Sequence, residues 1–206
     1  MAHLNPAKKL SADELQQELA GGVIGHTIIA LEKTTSTNDA ILRMATRNQK
    51  EGLVVFAEHQ TAGRGQRGNQ WQSAARKGLW FSVLLRPQIE IAESARLTDW
   101  AAKSVADTIA QEFSLTPDIK PPNDVYIAGR KVAGVLVDMR AQKQALHLAI
   151  AGIGINLNQA PEDFPPELQT TATSLAILLQ RPVDRQKFAA AVLRNLNQTY
   201  RAAFAS

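Results

Sequence analysis

The sequence contains no cysteine, and none of its apolar runs is long. The lack of cysteine excludes disulfides and thiolate metal sites. No apolar run approaches the roughly 20 residues that a membrane-spanning helix needs. Residues 1–22 also lack the apolar core that a secretory signal requires. We therefore expect a cytoplasmic protein with no membrane partner.

Charge of one sign is not concentrated anywhere in the chain. Lys and Arg number 23 against 19 Asp and Glu, which gives a net charge of +4 without a polybasic block. Aromatic residues make up only 5% of the sequence and are not interleaved with the basic ones. The charge allows contact with nucleic acid, but the pattern does not indicate it, so we predict no nucleic-acid partner.

The length of 206 residues suits one main domain. Ser11 followed by Glu14 resembles a capping box and predicts a short entry helix within residues 1–22. Five segments rich in β-branched residues predict strands, namely VIGHTIIALEK, LVVFAEH, GLWFSVLLR, KVAGVLVDM and ALHLAIAGIGINL. Two longer segments place apolar residues at helical spacing: Leu97, Trp100, Ala101, Val105, Ile109 and Phe113, then Phe188, Val192, Leu196, Tyr200 and Phe204. The chain has no strict βαβ rhythm, so we predict a mixed α+β domain.

Residues 58–73, EHQTAGRGQRGNQWQS, combine three glycines with two arginines. Gly63, Gly65 and Gly68 allow the backbone to approach a ligand closely. Arg64 and Arg67 supply charge for a phosphate or a carboxylate. The loop is neither a P-loop nor a dinucleotide fingerprint. By itself it indicates either an anion-binding loop or an ordinary surface turn.

Three further stretches also allow either a binding role or a purely structural one. TTSTND, residues 34–39, either caps the helix that follows or presents hydrogen bonds to a polar ligand. In IKPPNDVYIAGRKVAGVLVDMR, Lys131 stands on a strand that carries no further charge until Asp138, where it is either a strand-edge surface lysine or a binding residue. GIGIN, residues 152–156, interrupts an apolar run with two glycines, which commonly means close approach by a ligand or another backbone. Together these stretches favour a composite pocket.

The ordered set TSTND, EHQTAGRGQRGNQW, GLWFSVLL, KPPNDVYIAGRKVAGVLVD and GIGINLN resembles the catalytic domain of biotin protein ligases. TATSLAILLQRPVDRQKFAAAVL is similar to the late segment of the same family, so nearly the whole chain is covered. The resemblance implies one catalytic domain over residues 1–206. It implies a largely antiparallel central sheet covered by helices, similar to class II aminoacyl-tRNA synthetases. The implied reaction joins biotin to ATP as biotinyl-5′-AMP and then transfers biotin to a lysine of a carboxylase's biotin carboxyl carrier protein.

The resemblance also assigns the site. Lys131 and Arg64 are implied to be catalytic, because they bring the biotin carboxylate and the α-phosphate together. The implied biotin site comprises Ser36, Thr37, Asn38, Gln60, Gly63, Arg64, Gly65, Gln66, Lys131 and Gly134. The implied ATP site comprises Arg67, Trp71, Asn123, Asp124 and Asn156. Asp124 meets the Mg²⁺ that accompanies ATP, and Trp71 either stacks on adenine or simply packs.

The sequence departs from the family pattern in several places. Gln66 replaces the second arginine of the usual Gly-Arg-Gly-Arg run, so we expect weaker retention of the adenylate. Asn69 replaces a frequently basic residue, and Pro121 stands where tryptophan is usual. We expect no N-terminal helix-turn-helix domain, and we expect the C-terminal SH3-like domain of most relatives to be absent. The resemblance further implies that a homodimer can form edge to edge through the sheet.

Two other functions remain open from the sequence. A lipoate-type ligase uses the same fold and the same adenylate chemistry, although GRGQRG and KPPND resemble the biotin branch. A non-catalytic biotin-binding paralogue is favoured by the departures and opposed by the presence of Arg64, Lys131 and Asn123.

Overall fold

A computed structural model describes residues 8–45, 49–142 and 147–204. The strands are β1 Thr27–Leu31, β2 Leu53–Ala57, β3 Gly63–Arg64, β4 Gln70–Trp71, β5 Gly78–Leu85, β6 Asp118–Lys120, β7 Asp124–Ile127, β8 Arg130–Arg140 and β9 Leu148–Asn156. The helices are α1 Ala12–Glu18, α2 Thr37–Met44, α3 Ser94–Phe113, α4 Leu175–Leu179 and α5 Arg185–Phe204. None of the helices in the described ranges is both long enough and apolar enough to cross a membrane.

Seven of the strands form one sheet in the order β1-β2-β5-β9-β8-β7-β6. β1 and β2 run parallel, and every other neighbouring pair is antiparallel. β3 and β4 form a separate two-stranded hairpin. The prediction of a mixed, largely antiparallel sheet is confirmed.

The two faces of the sheet carry different cores because successive strand residues point to opposite sides. On β2, Val54 and Phe56 join the large core under α1, α3 and α5, whereas Leu53 and Val55 join a smaller core with Ile41 of α2. α3 and α5 bury the apolar faces predicted from helical spacing, with Phe113 partly exposed. The smaller core covers only part of the other face, which leaves room for a cleft beside α2.

A buried ion pair fixes the strand end from which the glycine loop leaves. Arg185 Nη2 donates to Glu58 Oε2 at 2.6 Å, and the two side chains are 2% and 5% exposed. Arg185 also donates to the carbonyls of Lys8 and Gly78, and Leu10 N donates to Glu58 Oε1 at 2.8 Å. This one pair therefore joins the N-terminal segment, β2, β5 and α5.

Several local predictions can be compared with the structure. Ser11 is the N-cap of α1 and accepts a hydrogen bond from Glu14 N, as the capping pattern predicts. All five predicted strands are present. The sequence patterns missed β6, β7 and the hairpin β3–β4, because these strands are only two to four residues long. Of the entry region, residues 1–7 lie outside the described residues.

Candidate active site

A cleft of about 250 Å³ opens on the α2 face of the sheet. It is lined by most of the residues that the sequence assigned to a site: Ser36, Thr37, Asn38, Gln60, Arg64, Gly65, Gln66, Arg67, Trp71, Asn123, Asp124, Lys131 and Gly134. Gly63 and Asn156 do not line it. The four sequence stretches therefore meet in one place, although they are separated by up to about half the chain.

The floor of the cleft is made of glycines on β8 and β9. A Cβ at Gly152 would lie 2.1 Å from Asn38 Oδ1, and one at Gly154 would lie 2.5 Å from Trp71 Cε2. A Cβ at Gly134 would lie 2.9 Å from Trp71 Cζ3. The close approach predicted at these glycines is thus made by side chains of the protein itself. Trp71 Nε1 is buried and has no hydrogen-bond partner among the described residues.

One wall of the cleft is a network of hydroxyl and amide groups. Gln60 Oε1 accepts from Thr37 N at 2.8 Å and from Thr37 Oγ1 at 3.2 Å. Gln60 Nε2 donates to Ser73 Oγ at 3.1 Å. Ser82 Oγ lies 2.7 Å from Thr37 Oγ1 and 2.6 Å from Asn38 Oδ1. These contacts hold both donors and acceptors at fixed positions beside the glycine floor.

Ser36 stands at the start of α2, where sequence reasoning left two roles open. It is the N-cap residue, but its side chain makes no capping hydrogen bond. Ser36 as a whole is only 3% exposed, and it lines the cleft. The hydroxyl of Ser36 is therefore placed for a ligand rather than for the helix end.

Arg64 extends from the hairpin β3–β4 to two carboxylates. Its Nη2 lies 2.8 Å from Asp138 Oδ2 and 3.0 Å from Asp39 Oδ1. Asn38 Nδ2 also donates to Asp138 Oδ2 at 3.1 Å. Asp138 lies seven residues beyond Lys131 on β8, which corresponds to about 23 Å at the usual rise per strand residue. In this conformation the guanidinium of Arg64 is engaged by Asp39 and Asp138.

Lys131 lies at the other end of the cleft. Its Nζ is 2.7 Å from Asp124 Oδ1 and 5.3 Å from the centre of the Trp71 ring. The side chains of Lys131 and Asp124 are 29% and 21% exposed. Lys131 is thus a cleft residue with a carboxylate and an aromatic neighbour, and the alternative of a strand-edge surface lysine does not describe it.

The glycine loop closes over the cleft as a short hairpin. Gly65 N donates to Asn69 O at 2.7 Å, and residues Gln66–Gly68 form a single 3₁₀ turn. Arg67 adopts a left-handed conformation with φ of 56°. A Cβ at Gly63 would lie 2.5 Å from Trp71 O. Gly63 therefore permits the close packing of β3 against β4, and its contact with biotin stays a prediction.

The two asparagines assigned to ATP occupy different environments. Asn123 lies in the turn between β6 and β7, lines the cleft, and donates to Val135 O at 3.0 Å. Asn156 is 5% exposed, and both ends of its amide are engaged by Thr173 and Gln159. A direct contact between Asn156 and a nucleotide stays a prediction.

The sequence patterns missed several residues of the site. Lys120 and Tyr126 line the cleft, with Lys120 Nζ 5.4 Å from the centre of the Tyr126 ring. Asp39 and Asp138 were not recognised as partners of Arg64. Ser82 had a readable signal, because it is the single polar residue in the apolar strand GLWFSVLL.

Residues 30–156 match the Biotin/lipoate A/B protein ligase family. The chain belongs to this family. Among relatives, it is 38% identical to the bifunctional ligase/repressor BirA of Bacillus subtilis over 94% of this chain and 59% of that protein. It is 34% identical to the biotin–[acetyl-CoA-carboxylase] ligase of Mycobacterium tuberculosis over 91% of this chain and 69% of that protein.

A solved family member supports the fold. The biotin protein ligase from Aquifex aeolicus in complex with biotin and ATP superposes with a TM-score of 0.69 at 32% identity, over 84% of this chain and 71% of that one. The chain spans only 59% of the length of its Bacillus subtilis relative. Membership of the family and the fold are therefore established, whereas activity and substrates need arguments from the site.

Proposed function

We propose that the chain activates biotin with ATP to biotinyl-5′-AMP and transfers biotin to a lysine of a biotin carboxyl carrier protein. The observation that carries this proposal is the cleft that joins Lys131, the glycine floor and the Thr37–Gln60 network. The proposal is supported by relatives named as biotin ligases and by the Aquifex aeolicus protein in complex with biotin and ATP.

The first step joins two anions, which sets the demand on the site. A carboxylate oxygen of biotin attacks the α-phosphorus, the bond to the β-phosphate oxygen breaks, and pyrophosphate leaves. Fixed positive charge must offset the repulsion between the carboxylate and the phosphate. Lys131 is fixed for this role by its strand and its two neighbours, and Arg64 supplies a second charge after it leaves Asp39 and Asp138.

The second step forms an amide. The amine of the acceptor lysine attacks the acyl carbon, loses a proton, and displaces AMP. The polar wall of Thr37, Gln60 and Ser36 suits the cyclic urea of biotin, because that ring presents donors and acceptors together. The hydroxyl and amide groups are held in place before a ligand arrives, which reduces the ordering cost of binding.

ATP is proposed to bind beside Asn123, Asp124 and Arg67, at the end of the cleft that carries Lys131. Asp124 is the only carboxylate that lines the cleft in the described ranges, and no cluster of three metal-binding side chains occurs there. This donor set fits a Mg²⁺ ion held mainly by ATP phosphates and water. Asp124 is the residue that would contact it, and the ion would neutralise phosphate charge.

The decisive experiment incubates the purified chain with biotin and MgATP without an acceptor and detects biotinyl-AMP by mass spectrometry. We expect biotin-dependent adenylate together with released pyrophosphate. A parallel incubation replaces biotin with lipoate, and adenylate formed only from lipoate would move the assignment to the lipoate branch. Biotin binding without adenylate would indicate a non-catalytic binding protein. A homodimer and the lack of a nucleic-acid partner stay predictions.

A further inference from the structure

One short segment outside the sheet binds both the N–H and the C=O of Lys131. Lys131 N donates to Thr171 O at 2.8 Å, and Thr173 N donates to Lys131 O at 2.9 Å. Lys131 and Ala172 thereby form an isolated parallel bridge. The neighbouring pairing of β7 with β8 shifts register between Val125 and Tyr126. The direction of the Lys131 side chain therefore depends on residues 171–173 as well as on β7.

Residues 171–173 are held in turn by buried polar side chains. Asn156 Nδ2 donates to Thr173 O at 3.0 Å, and Gln159 Nε2 donates to Asn156 Oδ1 at 2.8 Å. Ser174 Oγ donates to Gln159 O at 2.7 Å. Exposure is 5% for Asn156, 2% for Gln159 and 0% for Ser174. A continuous chain of buried hydrogen bonds thus runs from the end of β9 to the backbone of Lys131.

Asn156 occupies the middle of this chain, and each end of its amide already has a buried protein partner. Its donor group is bound to Thr173 and its acceptor group to Gln159. It also does not line the cleft. Buried polar groups are costly unless they are hydrogen-bonded, so removal of one member leaves the others unsatisfied and shifts the segment that they hold.

We propose that Asn156 and Gln159 are positioning residues for Lys131. They fix residues 171–173, and those residues fix the Cα of Lys131 so that its Nζ lies between Asp124 and the Trp71 ring. The proposal rests on the proposed function for its kinetic consequence, but its structural content concerns Lys131 alone. A positioning role can be distinguished from a nucleotide-binding role for Asn156. Gln159 does not line the cleft, yet a positioning role requires that its substitution disturb Lys131 as substitution of Asn156 does.

The kinetic test uses Asn156→Ala and Gln159→Met in the full chain. We expect kcat for biotin-dependent pyrophosphate release to fall at least tenfold in both, with KM for ATP within threefold. In a chain that already carries Lys131→Arg, Gln159→Met should lower kcat by less than a further threefold. A rise in KM for ATP in Asn156→Ala, with an unaffected Gln159→Met, would overturn the proposal in favour of direct nucleotide contact.

Asn158→Ala is the matched control. Asn158 lies two residues away and binds Val183 through both ends of its amide, at 2.8 Å each, so its side-chain hydrogen bonds go to Val183 and not to residues 171–173. We expect it to lower the unfolding midpoint while kcat stays within twofold of the original chain. Equal loss of kcat in Asn158→Ala and Asn156→Ala would show a general effect on folding and overturn the positioning role.

A second measurement reports on Lys131 without depending on enzymatic activity. Brief labelling with acetic anhydride, followed by mass spectrometry of peptides, measures the reactivity of Lys131 relative to exposed Lys103. We expect Asn156→Ala and Gln159→Met to change this ratio at least threefold and Asn158→Ala to leave it unchanged. If the chain makes no adenylate but the ratio changes, the proposed function fails and the positioning role stands. An unchanged ratio overturns the positioning role.

Discussion

Lys131 Nζ lies 2.7 Å from Asp124 Oδ1. The positive charge of Lys131 is therefore balanced by a carboxylate until an anionic ligand binds. Lys131→Met should lower the rate of adenylate formation by about 10²- to 10³-fold, as removal of one fixed donor to a developing charge does, with less effect on biotin affinity. Pyrophosphate release and calorimetric biotin titration measure the two effects. Lys103→Met, on the exposed face of α3, is the control and should change neither.

Asp124→Asn separates the lysine from its partner. The variant keeps the charge of Lys131 and removes both its ion pair and the carboxylate proposed to contact Mg²⁺. Because ATP phosphates and water are proposed to hold most of the ion's coordination, we expect a smaller loss of rate than in Lys131→Met. The same pyrophosphate assay, run over a series of Mg²⁺ concentrations, makes the comparison. A loss as large as that of Lys131→Met, relieved by higher Mg²⁺, would show that the carboxylate holds the ion more strongly than a site built mainly from phosphates and water allows.

Arg64 is held by two carboxylates, of which Asp39 is the more exposed. Exposed ion pairs contribute about 0.2–1 kcal/mol. Asp39→Asn should therefore leave the free energy of unfolding nearly unchanged and tighten biotin binding by up to about fivefold, because Arg64 is released more easily. Calorimetric titration checks this, and the gain should shrink at high salt. Glu93→Gln, which breaks the Arg96 pair elsewhere, is the control, and weaker binding in Asp39→Asn would contradict the expectation.

Gln66 lies at the cleft, beside Arg67 on the closing hairpin. An arginine there adds a positive charge near the anionic adenylate, so Gln66→Arg should raise the bound fraction of biotinyl-AMP and lower labelling of bystander lysines. Mass spectrometry of the bound and filtered fractions measures the first, and streptavidin blotting with added serum albumin measures the second. Equal bystander labelling by the two proteins would refute weak retention through Gln66.

The sequence predicted the elements that repeat a pattern over many residues. α3 and α5 each bury the face that their helical spacing indicated, and the long strands follow runs of β-branched residues. β6 and β7 are too short to show a period. The partners of Arg64 come from α2 and the far end of β8, and the latter is 74 residues away in sequence. No local pattern encodes such a pairing, because it depends on how distant segments pack.

Gly154 is the point where Trp71 meets the sheet. A Cβ there would lie 2.5 Å from Cε2 of the indole. Overpacking of this kind costs about 1–3 kcal/mol, so Gly154→Ala should destabilise the chain and weaken biotin binding as the indole moves. Trp71→Phe in the same chain should recover part of the stability, because the smaller ring clears the methyl group. Urea unfolding and biotin titration give both quantities.

Gly129→Ala is the control for Gly154. Gly129 lies in the turn between β7 and β8 with φ of +73°, and a Cβ there would meet nothing within 4 Å. Its substitution introduces backbone strain of about 1 kcal/mol or more without touching the cleft. We expect lower stability and unchanged biotin affinity. Equal loss of affinity in both variants would contradict a local role for the glycine floor.

The ion pair of Glu58 and Arg185 makes a prediction about stability alone. Because both side chains are buried, loss of one partner leaves an uncompensated charge, and Arg185→Met should cost about 3–5 kcal/mol of unfolding free energy. Glu58→Leu combined with Arg185→Met removes both charges and should cost less than Arg185→Met alone. Arg194→Met, which breaks an exposed pair with Glu18, should cost at most about 1 kcal/mol. Urea unfolding of the original chain and the three variants tests this order of unfolding free energies. A double variant less stable than Arg185→Met would show that the ion pair contributes more than it costs to bury.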